Sequence, residues 1–219
     1  MFFLPLSILF FLFLILLLPI LFFLIQMGVV GTAFHKLGLS PSTGILIFFL
    51  SILSSTINIP IVQREALPTV YDEWDFIRHF FGFSSTINSK QVIAINLGGA
   101  IIPLLLVLYL LPKVPLPNTF IAVVVSIIVC KFLARPVPRV GIVLPAFIPP
   151  ILAALLAMIL ARRNPAPVAY ITGVLGTLIG ADLLNLHRIS GIGAGMVSIG
   201  GAGVYDGIYL VGIIAVLLA

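Results

Sequence analysis

The chain has 219 residues, of which 62% are hydrophobic and 8% charged, with a mean hydropathy of +1.34. Soluble domains carry about 25% charged residues, so this composition excludes a water-soluble enzyme or binding module and describes an integral membrane protein. The net charge of +5 does not point to nucleic acid, because the bases stand singly or in pairs at the ends of apolar runs, where they anchor helices at anionic headgroups.

A run of about 20 apolar residues rises far enough to cross a hydrocarbon core of about 30 Å. Seven such runs, at about 2–27, 41–61, 96–111, 118–134, 142–161, 165–186 and 203–219, predict an all-α polytopic bundle in the cell membrane, with residues 1–219 forming a single membrane domain. The first run lacks a basic n-region and a small-residue cleavage site, so it reads as a permanent span rather than a signal peptide. Pro41, Pro60, Pro112, Pro136, Pro138 and Pro165 punctuate the joints. Pro19, Pro103, Pro145, Pro149 and Pro150 fall inside runs, where they predict kinks whose freed carbonyls need partners on neighbouring helices.

Between the second and third runs, residues 63–90 form a soluble or interfacial loop with four acids, in which Val70, Trp74, Ile77 and Phe81 recur at helical spacing. Asp72, Asp75 and His79 share a face there, but without further ligands they read as a wet face and not a metal site. The lone cysteine, Cys130, has no CxxC or His neighbour, so no metal, redox or cofactor site is read from it. Lys131, at the end of the fourth run, reads as a snorkelling anchor. The even-numbered connections hold seven Lys and Arg against four in the odd ones, which puts the N-terminus in the cytoplasm.

Two internal echoes occur. SSTIN at 54–58 returns at 84–88 in a different context and reads as coincidence, whereas Gly98-Gly99-Ala100 and Gly200-Gly201-Ala202 open the third and seventh runs and fit a parallel duplication of spans.

Of the six acids, only Asp182 and Asp206 lie inside apolar runs. An intramembrane carboxylate costs at least about 2.5 kcal/mol at the bilayer centre and usually marks a partner, a cavity or a substrate path. Gly176-x-x-x-Gly180 precedes Asp182 by half a turn and Gly203-x-x-x-Gly207 brackets Asp206, so bare helix faces are expected to bring the last two spans, and the two acids, together. Carboxylates a few ångströms apart share a proton, which serves either acid–base chemistry on a water or proton and cation exchange during transport. Asn185 and Tyr205 supply donors nearby, and Asn58 and Asn96 are intramembrane amides that either glue spans together or help to bind a cation. The bland alternative has Asp182 paired with Arg188 or His187 and Asp206 capping the last helix.

GTLIGADLLNL and SIGGAGVYDGIYLVGIIAVLLA, with INIP and INLGGAIIP upstream, resemble the archaeal and bacterial membrane family known as domain of unknown function 1614, from about Val29 onward. That family implies no activity. Tyr205-Asp206 and, in part, Gly180-Ala181-Asp182 also resemble the Tyr-Asp and Gly-x-Gly-Asp motifs of presenilin-type intramembrane aspartyl proteases, although their order is reversed and no Pro-Ala-Leu follows Asp206. The expected function is therefore translocation of a proton, cation or small solute past a site built by Asp182 and Asp206, with Asn58, Asn96, Asn185 and Tyr205 contributing. The alternatives are intramembrane proteolysis by the same pair and a non-catalytic scaffold. The lipid bilayer is the one partner the sequence specifies.

Overall fold

The computed structural model describes residues 6–65, 90–137, 141–189, 195–201 and 207–219. Among these, seven helices follow one another: α1 (Leu6–Lys36), α2 (Pro41–Ser54), α3 (Leu97–Lys113), α4 (Leu116–Leu133), α5 (Ile148–Leu160), α6 (Pro165–Arg188) and α7 (Gly207–Leu218). Three of them, α1, α4 and α6, are long and apolar enough to cross a membrane, and the other four are shorter apolar helices. The chain is mostly helical, as the runs predict, but it is not all-α. Asn58–Glu65 (β1), Lys90–Asn96 (β2) and Gly195–Ile199 (β5) form a three-stranded sheet in the order β1-β2-β5, and Arg135–Val137 (β3) pairs with Gly141–Val143 (β4).

The strands replace the ends of expected spans for local reasons. The second run stops being helical at Ser54 because its hydroxyls tie off the last carbonyls: Ser54 donates to Leu50 O, Ser55 to Ile52 O and Thr56 to Leu53 O. Beyond it, Ile57, Ile59, Ile61 and Val62 favour extended backbone. Pro60, which cannot donate to a ladder, sits on the edge strand beside a bulge between Pro60 and Val62. β1 runs antiparallel to β2, pairing Asn58 with Asn96, and β2 runs parallel to β5, pairing Ala94 with Ser198. The fifth span begins at Ile148 rather than near 142, since Pro149 and Pro150 fit a helix only in its first turn, where no N–H is missed. They do not kink it. Residues 66–89 of the expected loop lie outside the described residues, while 63–65 and Lys90 belong to strands.

α6 is the central helix: 72% of its most apolar window is buried, against 6% for α1. It packs on α4, α5 and α7 through small side chains. A Cβ on Gly176 would lie 2.0 Å from Ser126 Oγ, and one on Gly180 would lie 2.5 Å from Ile127 O and 2.9 Å from Cys130 Cβ. The Gly176-x-x-x-Gly180 face therefore docks on α4, not on the last helix as its spacing alone suggests. The contact with α7 runs instead through Gly173, opposite Val211, and Gly212, opposite the Tyr170 ring. Among the described residues, nothing lies within 4 Å of where a Cβ on Gly207 would stand. Because Tyr170 meets Gly212 and Gly173 meets Val211, α6 and α7 are antiparallel. Alternation of the helices puts the short turns 37–40, 114–115 and 161–164 at one end of the bundle, and the strands and the end of α6 at the other.

Candidate functional site

The strand end holds a chain of buried polar contacts. Asn96, 1% exposed, closes β2 and caps α3: its Oδ1 accepts from Gly99 N at 2.7 Å, and its Nδ2 donates to Ser55 O at 2.5 Å and to Asn58 Oδ1 at 3.0 Å. Ser198 on β5 donates to the same Asn58 oxygen at 2.5 Å. The register explains the reach, because Asn58 faces Asn96, Ser198 faces Ala94, and only the small Ala94 lies between them on the middle strand.

α3 then starts with a π turn, Leu97–Ile101, in which Ile102 N donates to Leu97 O. Pro103 follows and has no N–H to offer the carbonyls of the preceding turn. The Gly98 carbonyl finds its donor on another helix, Ser51 Oγ of α2, at 2.6 Å. This is the cross-helix satisfaction that an intramembrane proline demands. Gly98 makes it possible, since a Cβ there would lie 2.0 Å from Ser51 O.

A second π turn, Leu178–Asp182, interrupts α6 and places Asp182 at its end. Such one-turn insertions occur often at functional sites. Asp182 Oδ2 accepts from Gly200 N at 2.9 Å, so the carboxylate is tied to the exit of β5. Gly200 (φ +90°) and Gly201 (φ +95°) hold left-handed backbone there. A Cβ on Gly200 would lie 2.7 Å from Ala100 Cβ, 2.8 Å from Ala100 N and 3.0 Å from Gly99 C, so the strand exit rests directly on the first π turn. The two Gly-Gly-Ala motifs thus meet: the first forms the turn under Asn96, and the second's leading glycine joins that turn to Asp182.

Asn185, expected as a ligand-binding donor, is buried, and its Nδ2 donates to Gly180 O and Ala181 O, both at 3.0 Å. It satisfies carbonyls freed by the interrupted turn and so positions Asp182. Arg188 donates to Asn185 Oδ1 at 3.3 Å, while Asp182 takes its hydrogen bond from the Gly200 backbone. Asn58 and Asn96 act as glue between strands and helices. Asp206 and Tyr205 lie outside the described residues, as do Asp72, Asp75 and His79. Among the described residues, no group of three His, Cys, Asp or Glu side chains could hold a metal ion.

Ser51, Ser55, Ser198 and the Gly200 N–H are participants the sequence reading does not name. The available signal was the first SSTIN copy, whose Ser55 and Asn58 both enter the network, although repetition is not the reason they do.

The fold and this network define an apolar helical protein of the membrane type, with a strand-built polar end gathered around interrupted helices. The chain belongs to the family described as Protein of unknown function (DUF1614), whose model matches residues 52–218. Comparison with curated proteins and with solved structures gives no match. None of these findings supports the looser likeness to intramembrane aspartyl proteases.

Proposed function

We propose that this chain is a multi-pass protein of the cell membrane that passes a proton, a cation or a small polar solute by way of Asp182. The observation that carries this reading is the placement of a carboxylate where the most buried apolar helix is interrupted, against a glycine-rich strand exit. Discontinuous helices with an acid at the break are how transporters bring backbone groups and charge to a solute within the membrane. A carboxylate has about four acceptor positions. Among the described residues the Gly200 N–H takes one, and the others would serve a proton or cation. Helices of 12 to 17 residues rise about 18 to 25 Å, short of a hydrocarbon core, so in this reading the strands complete the crossing of α2, α3 and α7 where protein covers them. Proteolysis would need a second carboxylate at hydrogen-bond distance, and no described residue supplies one beside Asp182.

The test is flux in proteoliposomes, read with an interior pH dye and with sodium or potassium gradients. Asp182→Asn keeps an oxygen for the Gly200 N–H and so preserves the fold while removing the charge. Flux above that of protein-free vesicles that disappears in this variant supports the reading. Equal flux in both proteins overturns it, and none above background under any of the three gradients removes the proton and the alkali cation as cargo.

A further inference from the structure

At the opposite end of the bundle the charges have a different character. Lys36, Lys113, Arg162 and Arg163 are there, and both described acids, Glu65 and Asp182, are at the strand end. Two of these bases are already engaged: Lys36 Nζ donates to Leu217 O at 3.1 Å at the C-terminus of α7, and Lys113 Nζ stands 3.5 Å from the Tyr109 ring centroid. Arg162 and Arg163 are exposed in the four-residue turn 161–164 between α5 and α6 and line a cleft of about 480 Å³.

The walls of that cleft are fixed and of two kinds. Ile159 and Leu160 make one side apolar, and Pro115 and Asn118 bring in the first turn of α4. Asn118 Nδ2 donates to Leu160 O, and Asn164 Nδ2 donates to Lys113 O at 3.4 Å, so side-chain amides brace the cleft across α4–α5 and α3–α6. Neither α4 nor α6 has a side-chain cap on its N-terminus. Pro117, Pro165 and Pro167 remove N–H groups, but those of Leu116, Asn118 and Ala166 remain in these first turns and carry the positive ends of two helix dipoles. Two guanidinium forks, two helix N-termini and an apolar wall at the level where spans enter water match one ligand chemistry: a phosphate diester attached to acyl chains and carrying net negative charge, since a zwitterionic headgroup brings its own ammonium to compete with the guanidinium groups.

We propose that the cleft between α4, α5 and the 161–164 turn binds the headgroup of an anionic phospholipid, with Arg162 and Arg163 on the phosphate and Ile159 and Leu160 against the glycerol and upper acyl chain. This site is independent of Asp182. The test uses the purified full chain in an uncharged maltoside detergent, titrated with short-chain phosphatidylglycerol, with phosphatidylcholine of the same chain length, or with inorganic phosphate, and followed by the thermal unfolding midpoint. Phosphatidylglycerol raises the midpoint, and the other two leave it unchanged. Arg162→Gln/Arg163→Gln weakens the lipid's apparent affinity about thirtyfold, from about 1 kcal/mol per base and about 1.4 kcal/mol per tenfold. Lys131→Gln, near the strand end, leaves it unchanged. Arg162→Lys/Arg163→Lys, which keeps the charge and tests the site if the neutral variant does not fold, weakens it severalfold because the bidentate fork is lost. Equal response to the neutral lipid, reproduction of the shift by inorganic phosphate, or full affinity in either double variant overturns the proposal.

Discussion

Gly200→Ala is the substitution that most directly tests the architecture of the strand end. The position has φ +90°, where an L side chain is strained by about 1 to 2 kcal/mol. The added methyl also meets Ala100 Cβ at 2.7 Å, Ala100 N at 2.8 Å and Gly99 C at 3.0 Å. Two of these are backbone atoms of a turn held by Asn96 and cannot rotate aside. Overpacking of this kind costs about 1 to 3 kcal/mol, which brings the total to about 2 to 5 kcal/mol. For a chain of this size each kcal/mol moves the unfolding midpoint by about 2 to 4 °C, so the variant should melt about 4 to 20 °C below the parent. The strand exit must shift to relieve the clash, and its N–H leaves Asp182, so flux should fall as well. The assay is thermal unfolding in detergent, with Gly28→Ala as the control, because a Cβ there meets nothing within 4 Å and a helical alanine is favoured over glycine by about 1 kcal/mol. A Gly200→Ala protein that melts within about 1 °C of the parent would refute the contact between the two Gly-Gly-Ala segments.

Other expectations follow from the same network. Asn96→Ala removes three hydrogen bonds at a position 1% exposed and should cost about 2 to 4 kcal/mol in denaturant unfolding; a loss under about 0.5 kcal/mol would contradict its capping role. Ser51→Ala leaves the Gly98 carbonyl without its donor and should cost about 1 to 2 kcal/mol. In a double-mutant cycle with Pro103→Ala, which restores an N–H to the turn, that cost should shrink, and strict additivity would show the two are unconnected. Gly180→Ala drives a Cβ to 2.5 Å from the Ile127 carbonyl and should separate α4 from α6 at a cost of about 1 to 3 kcal/mol, read as a lowered midpoint with increased alkylation of buried Cys130.

The seven apolar helices were legible because hydropathy and length are local properties, and one proline consequence was legible too, in the Ser51 bond to Gly98. The strands were not. A short β-branched run such as Gln91 to Ile95, abutting an apolar helix, has no period that distinguishes it from one more helical turn. Nor could glycine spacing say which neighbour its bare face meets: Gly176 and Gly180 read equally well toward α7 as toward α4, and the choice depends on where Ser126, Ile127 and Cys130 are carried by a different helix.

The sequence by itself determined that this protein is apolar along almost its whole length, that prolines punctuate most joints between its apolar runs, and that Asp182 is out of place in such a chain. Those facts depend on each residue's own transfer energy and backbone preference. Only the tertiary structure decided that Asn58, Asn96 and Ser198 form one network and that Asp182 is joined to Gly200. These depend on close approach of segments 18 to 140 residues apart, and close approach is a property of how whole elements pack.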